Sequence, residues 1–139
     1  MIHIINKVEI DQNKKLMVTG MLSFEDKILL LKTHDPHVWV LPKVEYVSGD
    51  NVIVGAATRA LREHAGIYIP KGEHFHITGT FYDDETNEFH YVFKTEVKCE
   101  PEIKINEELY TGHLLISANC ATLLSLSQLE RIILEKEFV

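Results

Sequence analysis

A chain of 139 residues, 45% hydrophobic and 25% charged, fits one domain spanning residues 1–139. It can bury on the order of two-thirds of its unfolded surface, enough for a core without staples, and its ordinary composition excludes disorder. Its 21 acidic and 14 basic residues, for a formal charge of -7 with eight histidines neutral, exclude the basic stripe that grips a nucleic-acid polymer but admit a small nucleotide escorted by metal.

No apolar run reaches membrane-spanning length, and the start MIHIINKVEID has no basic and then apolar leader pattern, so the expectation is a cytoplasmic protein with no membrane partner. Residues 2 to 10 alternate weakly, as a short strand would, before a turn at Asp11-Gln12-Asn13-Lys14. Two strands follow at about residues 15 to 23 and 27 to 33, joined tightly through Phe24-Glu25-Asp26. His34-Asp35-Pro36-His37 is a loop whose His-x-x-His spacing lacks a third ligand at structural-zinc distance, which favours a loop beside a substrate entrance over a zinc site. Trp39, the one tryptophan, suits core packing or a stacking platform.

From Trp39 to Ile67 the sequence predicts a strand, a loop holding Ser48-Gly49-Asp50-Asn51, and a helix. Ile53, Ala57 and Leu61 recur at every fourth position, among small residues that let the helix sit close to a sheet. Asn51 is the expected N-cap and Gly66 the expected stop. Positions 59, 60, 63 and 64 share one side of that helix, facing whatever the preceding loop holds.

A turn through Tyr68-Ile69-Pro70-Lys71-Gly72 leads to a hairpin, with strands at about 74 to 82 and 89 to 97 around Asp83-Asp84-Glu85-Thr86-Asn87. Alternation groups His74 with His76, and His90 with Val92 and Lys94. A loop from Glu100-Pro101-Glu102 reaches Glu107, Glu108 and Tyr110 ahead of a last strand at about 112 to 117. Ser125 and Gln128 form an expected capping box for a C-terminal helix with the stripe Leu126, Leu129, Ile132 and Ile133, which should cover the sheet face opposite the first helix. Cys99 and Cys120 stand in no metal-ligand spacing and read as reduced core thiols.

At its central helix the sequence resembles the Nudix hydrolases, whose signature is Gly-x5-Glu-x7-Arg-Glu-U-x-Glu-Glu-x-Gly-U after a Leu-Pro-Gly-Gly turn, with U a bulky aliphatic. Arg59, Leu61, Glu63, Gly66 and Ile67 match the helix, and Trp39, Leu41 and Pro42 match the lead-in. Lys43-Val44 replaces the paired glycines, Ala60 the first helix glutamate and His64 the last, while either Asp50 or Asn51 takes the place of the loop glutamate. Both flanking hairpins extend the resemblance over nearly the whole chain. It implies an α/β fold, a Nudix-like α/β/α sandwich with a mixed β-sheet between helices.

In the intact motif, carboxylates at i, i+3 and i+4 converge on hard divalent cations. Those cations orient a diphosphate and lower the pKa of the attacking water. Ala60, Glu63 and His64 leave one carboxylate in those places, and losing one charge-stabilising group typically costs about 3 kcal/mol, or roughly a hundredfold in rate. The resemblance therefore implies two readings. One is a pyrophosphohydrolase, using magnesium or manganese, that acts on a nucleoside diphosphate linked to another moiety. Its catalytic residues are Glu63, Arg59 and His64, and its metal ligands Glu63, His64, Asp50 and Glu108, with Glu107 as an alternative source. His37, Trp39 and Tyr82 contact the nucleotide, and the imidazole shifts metal preference from magnesium toward manganese, cobalt or zinc. The other is a catalytically inactive domain that binds a nucleotide or a protein partner. A homodimer through the C-terminal helix or an edge strand is compatible with both.

Overall fold

The computed structural model describes residues 1–5, 14–70 and 74–137. Its elements are β1 (Ile2–Ile4), β2 (Lys15–Phe24), β3 (Lys27–Thr33), β4 (Trp39–Val40), β5 (Lys43–Glu45), α1 (Ile53–Ala65), β6 (His76–Asp83), β7 (Glu88–Glu96), β8 (Tyr110–Ser117), α2 (Ala118–Ala121) and α3 (Gln128–Lys136). The strands form one mixed sheet in the order β1-β6-β7-β2-β3-β4, with β5 added on β2 and β8 on β3. The central pair β2 and β7 is parallel, in register from Lys15↔Glu88 to Ser23↔Glu96, and the strands around it pair antiparallel.

Local chemistry explains the first hairpin. Glu25 and Asp26 both take positive φ, 50° and 62°, the handedness that matches strand twist in a two-residue turn. Beyond that turn β2 meets β3 only at Ser23↔Ile28 and Phe24↔Lys27, and its earlier half pairs instead with β5 from Met17↔Glu45 to Thr19↔Lys43. The sheet forks between them, where the Gly20 N–H donates to the Pro42 carbonyl at 3.0 Å.

Successive side chains on a strand point to opposite faces, so β2 and β3 supply two cores. Leu22, Leu29 and Leu31 pack with Leu61 and Ala65 of α1. Met21, Ile28 and Leu30 pack with Leu129, Ile133 and Leu134 of α3. The helices therefore lie on opposite faces, giving the expected α/β/α sandwich. Gly20 sets how closely α1 approaches: a Cβ there would stand 2.6 Å from the Ala57 carbonyl oxygen.

Several expectations shift. Helix α1 starts with Val52 at its N-cap, while Asn51 takes a left-handed φ of 64° one residue earlier. It stops as expected at Gly66, with φ 67°, whose N–H donates to the Arg62 carbonyl. Ser127, not Ser125, caps α3, its hydroxyl accepting the Glu130 N–H at 3.2 Å. Ser125 is engaged elsewhere, because its carbonyl accepts the Trp39 N–H at 2.9 Å. Both cysteines are exposed, not core: Cys99 lies in the bend after β7, and Cys120 sits on α2, which buries Ala118 and Ala121 instead. Most of the predicted first strand beyond Ile5, Asp11-Gln12-Asn13 of its turn, and Lys71 and Gly72 lie outside the described residues. Among the described residues no helix is long and apolar enough to cross a membrane.

Candidate functional site

Helix α1 buries Ala56, Ala57, Ala60, Leu61 and Ala65. Ala60, in the place of the first helix glutamate, is fully buried and packs with Val18, Val44, Ala56 and Ala57. That position belongs to the core.

Ahead of the helix a single 3-10 turn, Ser48–Asp50, turns the Asp50 carboxylate back on the chain, where its Oδ2 accepts the Val47 N–H at 3.0 Å. Arg59 grips both oxygens, donating from Nε to Oδ1 at 2.8 Å and from Nη2 to Oδ2 at 3.1 Å. It also donates from Nη2 to the Glu45 carbonyl at 2.5 Å and from Nη1 to Glu63 Oε2 at 3.2 Å. Four donated bonds nearly exhaust the five N–H groups of a guanidinium. The Asp50 side chain is 6% exposed, and its hydrogen bonds from Arg59 hold the carboxyl below its ordinary pKa despite the cost of burial.

One turn further along, Glu63 is exposed with one oxygen on Arg59. His64 is half-buried, and burial pushes its pKa down from 6.5. Its Nδ1 lies 2.5 Å from the Tyr110 hydroxyl, with the two rings tilted at 53°. Tyr110 opens β8 opposite Thr33, is buried, and has its phenol pushed up to about 12, first by burial and then by the charge of Glu130. The preceding loop is laced to the end of α1: the Lys104 N–H donates to the Ala65 carbonyl at 2.8 Å and the Asn106 N–H to the His64 carbonyl at 3.0 Å.

Of the sequence-predicted set, the structure joins Asp50, Arg59 and Glu63 as a chain of ion pairs and couples His64 to Tyr110. Glu108 stands exposed in that same loop before β8, its N–H donated to Asn106 Oδ1, and the Glu107 backbone carbonyl accepts from His34 Nε2 at 2.9 Å. Among the described residues no three of histidine, cysteine, aspartate or glutamate converge closely enough to hold a metal ion. Both Asp50 oxygens are already bonded within the protein and Ala60 has none to offer, which leaves one oxygen of Glu63 and Nε2 of His64, short of the several oxygens a hard divalent cation takes. The residues present do not fit a resident divalent cation.

The expected nucleotide contacts are spread out. His37 is exposed, its Nδ1–H 3.2 Å from the Thr33 carbonyl. Trp39 packs against the core under α3, with Lys32 Nζ 5.8 Å from its ring centre. Tyr82 lies on β6, which β7 and β2 separate from β3, and its hydroxyl donates to Asn87 Oδ1 within its own hairpin. The second hairpin therefore carries Tyr82 to the far side of the sheet from the other two.

Sequence reasoning missed a polar group beneath α3. Thr19 Oγ1, both ring nitrogens of His90 and Glu130 Oε2 are buried without hydrogen-bond partners among the described residues. Lys43 Nζ stands 3.7 Å from Glu130 Oε1. The pairings Thr19↔Lys43 and Met17↔His90 place Thr19, Lys43 and His90 on the same face of three strands. Burial first, and then the charge of Lys43, lower His90 to about 4, so the ring is neutral. The available signals were a glutamate at helical spacing between Leu126 and Leu134, inside the apolar stripe, and a lysine directly after Leu41-Pro42. A separate groove of about 700 Å³ lies past α1, lined by residues including Gly66, Tyr68, Val97, Cys99 and Lys104. Gly66 and Ile67 at the end of the motif line it, whereas Asp50, Arg59, Glu63 and His64 do not.

No family model and no curated protein matches the sequence. Solved structures do match. The Nudix domain of Shewanella oneidensis NrtR, solved with ADP ribose, is similar at a TM-score of 0.71 over 91% of this chain and 90% of that one, with 16% identity. The MutT protein from Methanosarcina mazei is similar at 0.69, over 90% and 93%, with 18% identity. An Ap4A hydrolase from C. elegans, in a binary complex, is similar at 0.61, over 86% and 93%, with 17% identity. The chain has the Nudix fold.

Proposed function

We propose that this Nudix-fold domain binds a nucleoside diphosphate linked to another moiety and holds it without cleaving it. The closed Asp50–Arg59 pair carries this reading: it takes up the loop carboxylate and most of the arginine's donors, leaving Glu63 as the one exposed carboxylate of the box. Catalysis by several converging oxygens has no counterpart in that arrangement. The ligand class is supported by the fold likeness to a domain solved with ADP ribose, a nucleoside diphosphate bearing a sugar.

A second reading, metal-dependent hydrolysis of a pyrophosphate bond with a reduced ligand set, keeps one observation in its favour. Glu63 remains exposed, with one oxygen on Arg59 and the other carrying no hydrogen bond among the described residues. Phosphate release over a panel that includes ADP-ribose, with magnesium, manganese, cobalt and zinc in turn, separates the two when binding is followed alongside in chelator. We expect binding that survives the chelator and no release with any metal. Metal-dependent release that Glu63→Gln abolishes would establish the hydrolase instead.

A further inference from the structure

Position 64 of the intact motif carries a carboxylate, which attracts cations. Here it carries an imidazole, and a neutral imidazole has one nitrogen that donates and one that accepts. Tyr110 decides which is which. Its hydroxyl lies 2.5 Å from His64 Nδ1, on a residue 7% exposed, and makes no other hydrogen bond among the described residues. If Nδ1 carried the proton and donated to the phenol oxygen, the buried hydroxyl hydrogen would have no acceptor, which is costly. With the O–H donating to Nδ1, both groups are satisfied and the ring hydrogen sits on Nε2. That nitrogen makes no hydrogen bond among the described residues.

We infer that Tyr110 is a positioning residue that fixes His64 as the Nε2–H tautomer, so that position 64 offers an N–H donor to an anionic ligand oxygen where the intact motif offers oxygen lone pairs to a cation. The tautomer stands on the geometry alone, and the ligand it serves rests on the nucleotide-binding reading above. Both partners are held from the backbone, Tyr110 by its pairing with Thr33 and His64 by the Asn106 N–H on its carbonyl. A carboxylate at 64 would find the phenol equally well but would present charge, not a hydrogen, to the ligand.

The test is nitrogen-15 NMR of the histidine rings in the full chain, native and Tyr110→Phe, a change that keeps the buried ring. The native protein should show His64 with Nδ1 unprotonated and Nε2 protonated, and Tyr110→Phe should release it to a mixture of tautomers. A protonated Nδ1 in the native protein, or an unchanged tautomer in Tyr110→Phe, would overturn the inference. ADP-ribose binding gives the second readout: Tyr110→Phe should weaken it about fivefold, the scale of one hydrogen bond, and should add nothing once His64→Ala is present. Equal binding by native protein and Tyr110→Phe, or additive losses in the double variant, would overturn the donor role. Should the native protein bind no ADP-ribose, the nucleotide reading falls and takes the donor role with it, while the tautomer result still decides whether Tyr110 positions His64.

Discussion

The two faces of the sheet treat their polar groups in opposite ways. Beside α1, Asp50, Arg59 and His64 each find partners within the protein, down to the last oxygen of Asp50. Beneath α3, Thr19, His90 and Glu130 are buried with polar atoms that find no hydrogen-bond partner among the described residues. One side has turned its ligating groups inward on each other, and the other keeps buried polar atoms with no partner among the described residues. A resemblance carried by the first face therefore says little about what the second can bind.

The sharpest way to break this contrast is to restore the missing carboxylate. Ala60→Glu places a charge at a fully buried position among Val18, Val44, Ala56 and Ala57, and urea unfolding should report a loss of about 4 kcal/mol. A variant of native stability that gains manganese binding would mean the α1 side is open after all.

On the α3 side the expected signature is pH dependence. His90 is held neutral, its native pKa of about 4 lying below the ordinary 6.5, so its contribution is whole above 6.5 and is lost as pH falls from 6.5 toward 4. Lys43 lowers this pKa, Asp83 raises it, and Glu88 stands 3.6 Å from the ring, while Glu130 of α3 lies 3.7 Å from Lys43 Nζ. The loss should be on the order of 3 kcal/mol in urea midpoints taken across that range, and His90→Leu should flatten it. An equal slope in His90→Leu would show that His90 is not the titrating group.

Asp50 sharpens the other side. Its native carboxyl titrates below the ordinary 3.8, so its contribution is whole above 3.8 and is lost as pH falls through the lowered native value. Asp50→Asn should cost about 2 kcal/mol at neutral pH and remove that acid-side loss, both measurable by chemical unfolding. Native stability in Asp50→Asn would mean the pair with Arg59 holds nothing together.

Locally encoded features were legible in the sequence. The first hairpin, the box helix with its Gly66 stop, and the helix on the opposite face follow from periodicity and turn chemistry within short windows. What was not legible depends on distant register. His64 meets Tyr110 from 46 residues away because β8 pairs with β3 at Thr33. The group under α3 draws on β2, β5, β7 and α3 together. Asp50 was visible as a loop carboxylate, but only the 3-10 turn reveals that it aims at Arg59.

The most direct test is the affinity of ADP-ribose for the native protein and for Glu63→Gln, measured by calorimetry in chelator and again with manganese. With both Asp50 oxygens held by Arg59, Glu63 keeps an exposed carboxylate oxygen that repels a diphosphate. Glu63→Gln should therefore bind equally well or up to about fivefold tighter, with or without metal. Binding that requires manganese and is lost in Glu63→Gln would contradict the closed box and return the site to metal chemistry.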